Sequence, residues 1–393
     1  MNTDHLAAVP GEPGLVISSI NRQGNHIGID WNNGDHSLFH HIWLRDNCRC
    51  QQCGDRSGGH SYLETGSISA DITPAEVSLD ASGSLVINWK NDGHLSQYSA
   101  AWLSANCYSA KAVAARRRQP DLWDSSISSK LPSCDFEQIR IDDAARLKMF
   151  ESIEEHGFVI IDGLTSKPEQ IEQLAAVFGF IRETHYGRVF DLISTPQQRI
   201  LAQTSHAIRP HNDELFRDPI PGLLMMHCLQ PSDCGGGASV FVDGFKAAHN
   251  LRAQNRDLFD LLCQVPLRHQ RFLVDEVDDV ALSAYWHCIQ LDHFEEVVAV
   301  HINERTLAPL DTPEDMTEAM YEALKALLAL VYADDARISY RLEAGQAIVL
   351  DNHRVLHARE AFKGNRHIRQ CHVDRDEFFS RLGALRRRVA ASH

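Results

Sequence analysis

Arg209-Pro210-His211-Asn212-Asp213-Glu214-Leu215 sets an imidazole and a carboxylate two residues apart. On an extended backbone, residues i and i+2 face the same side, roughly 6.5–7 Å apart. His211 and Asp213 can therefore close on one ion from one side. A third ligand, another histidine from far along the chain, would complete a two-histidine, one-carboxylate face. That face leaves coordination positions open, the arrangement that serves O2 chemistry at non-haem Fe(II). Asp351-Asn352-His353-Arg354-Val355-Leu356-His357 offers two such histidines, His353 and His357. Strand periodicity does not choose between them.

A second cluster is Cys48-Arg49-Cys50-Gln51-Gln52-Cys53. A regular strand or helix cannot bring three thiols so closely spaced to one ion, but a tight turn can. Tetrahedral zinc takes four N or S ligands, and closed sites of this kind contribute folding energy. His60, His94 and Cys107 are candidates for the fourth ligand. The segment around the thiols is not basic, which argues against a zinc finger that reads DNA.

The elements that must position these residues fall into two groups. Residues 15–20, 28–31, 37–40 and 86–89 are short β-branched or aromatic runs. Asn32-Asn33-Gly34-Asp35 and Asn91-Asp92-Gly93 punctuate them as turns, giving a small, mostly antiparallel β domain. Residues 116–135 turn Arg-rich and then Pro- and Ser-rich, which marks a linker. Beyond it, the spacing predicts a helix over 142–156, a buried strand over 157–161 and a helix over 168–178. From residue 200, strand follows strand: the His-Asn-Asp stretch, then 222–229, 239–243, 297–303 and 346–350, with helical insertions over 245–255 and 312–331. Thr312-Pro313-Glu314-Asp315 predicts a capping-box start for the last of these, with Pro313 at its first position. Many strands with helical insertions predict a jelly roll, or double-stranded β-helix. On the predicted strand over 366–373, Arg366 and Arg369 are cations that burial would penalise unless an anion meets them. A bidentate carboxylate is the natural counterpart, supplied by a ligand or by a protein Asp or Glu.

Length and charge set outer bounds. The chain has 393 residues, 44% hydrophobic and 23% charged, as in ordinary soluble domains. A formal net charge of −15 argues against nucleic-acid and anionic-membrane partners. Arg116-Arg117-Arg118 and Arg386-Arg387-Arg388 read as solvated helix faces. No apolar run approaches 18 residues and residues 1–14 lack the pattern of a signal peptide, so a cytoplasmic protein is expected. There the ten cysteines are thiols or thiolate ligands rather than a disulfide framework.

Four stretches together resemble a known family. They are Trp43-Leu44-Arg45-Asp46-Asn47-Cys48 with Cys50 and Cys53; Pro210-His211-Asn212-Asp213 continuing through Arg217-Asp218-Pro219 to His227-Cys228-Leu229; Gly236-Gly237 with Ser239 and Val242-Asp243-Gly244; and Asp351-Asn352 with Arg354, Leu356-His357 and Arg359. In this order, across residues 15–390, the chain resembles the γ-butyrobetaine dioxygenase family. The resemblance implies an Fe(II)/2-oxoglutarate-dependent dioxygenase, mainly β with flanking helices. Its parts would be an N-terminal zinc-binding β domain over 1–115, a linker over 116–135 and a jelly-roll catalytic domain over 136–393.

Carried over by motif, iron falls to His211, Asp213 and His357, and zinc to Cys48, Cys50, Cys53 and His94. Arg366 matches the arginine that binds the distal carboxylate of 2-oxoglutarate, with Ser239 as a hydroxyl toward the same co-substrate and Arg369 as a further candidate. O2 is the second co-substrate and ascorbate the reductant in vitro. The implied chemistry couples decarboxylation of 2-oxoglutarate to hydroxylation of an unactivated C–H.

The resemblance also implies a small quaternary ammonium substrate held by an aromatic cage, since such a cation offers no classical hydrogen bond. Tyr186 and Phe190 match two cage positions, whereas Gln203 and His372 stand where the family carries cage tyrosines. Arg305, with Asn303 and Arg188, falls near the substrate's anionic end, unless Arg305 pairs with Glu304 or Asp311. These departures favour 2-(trimethylamino)ethylphosphonate over γ-butyrobetaine. A non-catalytic metal-bound sensor is the alternative from another class. A homodimer is the family expectation.

Overall fold

A computed structural model of the chain describes residues 14–55, 59–117, 119–193, 204–233, 235–273 and 280–391. The chain divides into two compact units, Met1–Arg118 and Gln119–His393.

The first unit carries two antiparallel three-stranded sheets. One orders Ile17–Gln23, His26–Trp31 and His36–His40. The other orders Pro74–Leu79, Leu85–Trp89 and Leu95–Tyr98. Period-2 alternation turns Ile27, Ile29 and Trp31 inward, where they meet Phe39, Ile87, Trp89 and Tyr98. Gly34 and Gly93 sit at the hairpin turns with φ of 85° and 65°, a region where a Cβ is costly.

The second unit is the expected jelly roll. Its larger sheet orders Phe190–Ile193, His367–Val373, Leu223–Gln230, Ala347–Asp351, Phe158–Asp162 and Ser133–Asp135. Pairing is antiparallel except between the last two. The smaller sheet orders Ile208–His211, Val355–Arg359, Ser239–Asp243 and Arg337–Tyr340, all antiparallel.

The central strands of the larger sheet are apolar on both faces, as burial on two sides requires. Val159, Ile161, Met225, Val349 and Cys371 pack under the helices Asp143–His156, Gln170–Phe178 and Arg375–Ala391. Phe158, Ile160, Leu224, Met226, Ile348 and Ile368 face the other way, toward Phe241, Ile338 and Val355 of the smaller sheet. Trp123, from the stretch whose composition marks a linker, is buried in this second layer, and its backbone N–H donates to Asp243 at 3.1 Å.

Helix 143–156 starts on Asp142, whose side chain accepts from the Ala144 N–H, and stops at Gly157 with φ 82°. Any Cβ there would come within 2.8 Å of Arg354 and Val355. The predicted capping box at 312–315 does not form. A 3-10 turn, Glu314–Met316, comes first and the helix runs Thr317–Tyr332 without a side-chain cap. Its stability rests on burying Met320, Ala323, Leu327 and Val331 rather than on the cap. Among the described residues no helix is long and apolar enough to cross a membrane, and no disulfide forms.

Candidate functional site

Strand register brings the histidines together. Ile208–His211 pairs antiparallel with Val355–Arg359 so that His211 lies opposite His357, ring centroids 4.2 Å apart. Asp213 turns back two residues later. Its Oδ1 is 3.3 Å from His211 Nε2 and 3.6 Å from His357 Nε2. The three ligand atoms lie within 4.8 Å of one another. His211 Nδ1 is 2.9 Å from the Arg209 carbonyl; donating there leaves Nε2 to face the carboxylate as a lone pair. Burial pushes the His357 imidazole down to about 3, so it is neutral, the form that binds metals. Burial opposes the Asp213 charge, yet the polar groups around it, His372 at 3.3 Å among them, hold its carboxyl well below the usual range. Two imidazoles and a carboxylate converging on one point fit a divalent iron ion. His353 is elsewhere, its Nδ1 3.3 Å from His301 Nε2.

A lattice of asparagines fixes this turn. Asn212 and Asn352 are wholly buried. Asn352 Oδ1 accepts from the Asp213 N–H at 2.7 Å, and its amide donates to the carbonyls of Asp213 and Pro221 at 3.0 and 3.1 Å. Asn212 donates to the Asn352 carbonyl at 2.7 Å and accepts from the Ile302 N–H at 2.8 Å. Asn303 donates to the Asn212 carbonyl at 2.8 Å and accepts from the Arg305 N–H at 3.2 Å. Asn303 thus spends its side chain on the frame, although it borders the cavity. Asn212 and Asn352 lie inside the recognised motifs, but residue type alone does not reveal their role.

A cavity of about 260 Å³ opens on the three ligands. Tyr186, Phe190, Leu192, Phe216 and Met226 supply its apolar wall. Tyr186 and Phe190 ring centroids are 5.6 Å apart. Ser239, Arg359 and Arg366 border it from strand Ser239–Asp243, strand Val355–Arg359 and the residue just before strand His367–Val373. Arg366 is buried, with its guanidinium 5.8 Å from the Phe362 ring centroid, and no carboxylate pairs with it among the described residues. Arg305 also borders the cavity and remains open to solvent. Glu304 accepts instead from the Tyr332 hydroxyl, and Asp311 from Tyr285 at 2.5 Å. Arg271, on strand Pro266–Leu273, is a cavity cation that sequence reading did not single out.

Two expected residues face elsewhere. Arg369 pairs with Asp191 at 3.3 Å across the edge of the sheet and is not among the residues lining the cavity. It lies an odd number of positions from Arg366, hence on the opposite face of the strand. His372 does not line the cavity either; its Nε2 is 3.3 Å from Asp213 Oδ2. Gln203 falls outside the described residues.

In the first unit, the turn after helix His41–Asp46 gathers the three thiols around one imidazole. His94 Nε2 is 3.2, 3.4 and 3.4 Å from the sulfurs of Cys48, Cys50 and Cys53. These four ligand atoms lie within 4.8 Å of one another, and the donor set suits tetrahedral zinc. Cys107 is instead 3.3 Å from Ser37 Oγ, and His60 is exposed. Arg45 donates to Cys53 Sγ at 3.4 Å and to Asp92 at 2.9 Å, placing a cation beside the thiols.

Comparison with known proteins follows the same division. Residues 18–103 match the "Gamma-butyrobetaine hydroxylase-like, N-terminal" family and residues 125–372 the "Taurine catabolism dioxygenase TauD, TfdA family". A γ-butyrobetaine dioxygenase of Pseudomonas sp. (strain AK-1) is 33% identical over 92% of this chain and 94% of that protein. A trimethyllysine dioxygenase of Meyerozyma guilliermondii is 28% identical over 92% of this chain and 94% of its own. A solved taurine dioxygenase from Burkholderia xenovorans, 14% identical, covers 65% of this chain and 90% of that one with a TM-score of 0.47. The chain belongs to the TauD, TfdA dioxygenase family, with the amino-terminal domain of its butyrobetaine hydroxylase-like members, and is a 2-oxoglutarate-dependent dioxygenase.

Proposed function

We propose that the enzyme hydroxylates an unactivated C–H of a small trimethylammonium zwitterion, with iron held by His211, Asp213 and His357. The observation that carries this reading is one cavity with a cationic wall beside those ligands. Arg366 is buried there without a carboxylate, a cost that the distal carboxylate of 2-oxoglutarate offsets. Ser239 adds a hydroxyl on the same side. Bound iron would supply the activation of O2 and of the keto acid. The chain's own residues hold the co-substrate, present the C–H and keep water out.

Tyr186 and Phe190 give the substrate's ammonium aromatic faces. Arg305, an open guanidinium on the cavity wall with Asn303 bracing its backbone, suits the anionic head. A phosphonate carries more charge than a carboxylate and makes better use of that guanidinium, so 2-(trimethylamino)ethylphosphonate is the favoured substrate. γ-Butyrobetaine is the second reading, favoured by the 33% identical relative of that name. In the amino-terminal unit, Cys48, Cys50, Cys53 and His94 would hold a structural zinc.

Succinate formation tests this. With Fe(II), 2-oxoglutarate and ascorbate, a panel of trimethylammonium zwitterions should include one that stimulates turnover strongly. Asp213→Ala should abolish that stimulation while zinc content stays unchanged. If no zwitterion stimulates turnover, the substrate class is wrong; if turnover persists in the variant, the iron assignment is.

A further inference from the structure

The two oxygens of Asp213 have different neighbours. Oδ1 faces the Nε2 atoms of His211 and His357 at 3.3 and 3.6 Å. Oδ2 accepts from the Gln370 amide at 2.7 Å and lies 3.3 Å from His372 Nε2. Gln370 and His372 are both buried, two positions apart on strand His367–Val373, and so project to one face. That strand is tied on both sides. Gln370 is opposite Met226 on one neighbour and Phe190 on the other, and His372 is opposite Leu224. The His372 ring also sits 6.2 Å from Phe190, which restricts its rotation.

We propose that Gln370 and His372 are positioning residues that jointly hold Asp213 Oδ2, so that the carboxylate offers only Oδ1 to the metal. This rests on reading the three-ligand cluster as the iron site. A carboxylate can bind an ion through one oxygen or both. Binding through both would fill one of the positions that the two-histidine, one-carboxylate face leaves open for co-substrates. Two N–H donors on Oδ2 oppose that rotation by satisfying its lone pairs where they are. Conversion of the second oxygen into a ligand would strand both donors in the interior, which is unfavourable. The histidine that stands at an expected cage position is thus assigned to the metal's support.

The test uses the full-length protein with its zinc retained. Mn(II), which prefers O and N ligands over thiolates, is titrated as a probe of the three-ligand site. Under anaerobic conditions the charge-transfer band of Fe(II) with 2-oxoglutarate is then recorded. Gln370→Met removes one donor at similar volume, His372→Phe removes the other and keeps a ring, and His372→Gln keeps an N–H. The Met and Phe variants should bind Mn(II) roughly 10–100-fold more weakly and shift the band. His372→Gln should stay near wild type. Wild-type affinity and band in both donor-less variants overturns the proposal. Should either fail to fold, His372→Gln decides: near-wild-type behaviour supports the donor role, and a loss of Mn(II) affinity of 10-fold or more overturns it. Asp213→Ala separates the two levels. If it leaves Mn(II) affinity unchanged, the iron-site reading itself fails; if affinity collapses there but not in the donor variants, only the positioning role does.

Discussion

Arg366 and Arg305 are both cationic and border one cavity, but they make different demands. Arg366 is buried, and burial lowers its affinity for a proton; it needs an anion that stays for the whole reaction. A co-substrate carboxylate is such an anion. Arg366→Ala should raise the KM for 2-oxoglutarate about 10–100-fold, the value of one charge-assisted contact, with a smaller change in the KM of the primary substrate. Arg366→Lys should recover little, because one ammonium cannot reproduce a two-point contact with a carboxylate. Arg305 is the more exposed of the two, although burial lowers its proton affinity as well, and on the proposed reading it would meet the substrate's anion, which comes and goes. Arg305→Ala is best measured on a phosphonate and a carboxylate betaine side by side. The KM for the phosphonate should rise about 10-fold or more, and that for the carboxylate less. Equal, small effects would remove Arg305 from the substrate site.

At the level of strands, periodicity accounts for both the legible and the illegible parts of the site. The pair His211 and Asp213 is legible because their spacing alone is suggestive. The choice of His357 over His353 depends on which strand lies opposite His211, and nothing local encodes a pairing across 146 positions (357 − 211). The alternation over 366–373 is present in the sequence. It puts Arg366, Ile368, Gln370 and His372 on one face and His367, Arg369 and Cys371 on the other, which separates Arg366 from Arg369 by parity alone. Gln370 could be found in the same way, as a polar residue on the inward face. His372, aligned with a cage position, does not line the cavity and lies beside the Asp213 carboxylate instead, which alignment alone does not reveal.

One buried ion pair anchors the strand that bears His357. Arg354, at the turn before it, donates to Asp243 at 3.1 and 2.9 Å and to the carbonyls of Glu155 and Asp121 at 2.7 and 2.5 Å. Asp243 also accepts from the backbone N–H groups of Trp123 and Phe245. Arg354→Met leaves that carboxylate buried without its cation, so unfolding free energy should drop by about 3–5 kcal/mol. Urea denaturation measures it; a loss below about 1 kcal/mol would mean that the backbone donors suffice.

Across the whole molecule, charge and local field have opposite signs. The chain carries −15 overall, yet the cavity gathers Arg271, Arg305, Arg359 and Arg366 against Asp213 and Glu214, and Glu214 is already paired with Arg217. Anionic ligands are therefore selected by the cavity and not by long-range attraction, so moderate salt should affect association rates weakly. The buried histidines set a second whole-molecule property. Burial holds His227, His269 and His353 down to about 4 and His301 to about 3, from an ordinary value of 6.5. Between these values the unfolded chain takes up protons that the folded one refuses, so folding stability is full above pH 6.5 and falls as pH drops toward 4. Below 4 the folded histidines protonate too, and further loss comes from carboxylates such as Asp213, whose charged form the fold favours. Urea midpoints of the catalytic unit should therefore decline from pH 7 to pH 4.5. His227→Leu should flatten that decline by up to about 1.4 kcal/mol per pH unit, the share of one proton. A midpoint constant over this range would show that these histidines are already charged in the native state.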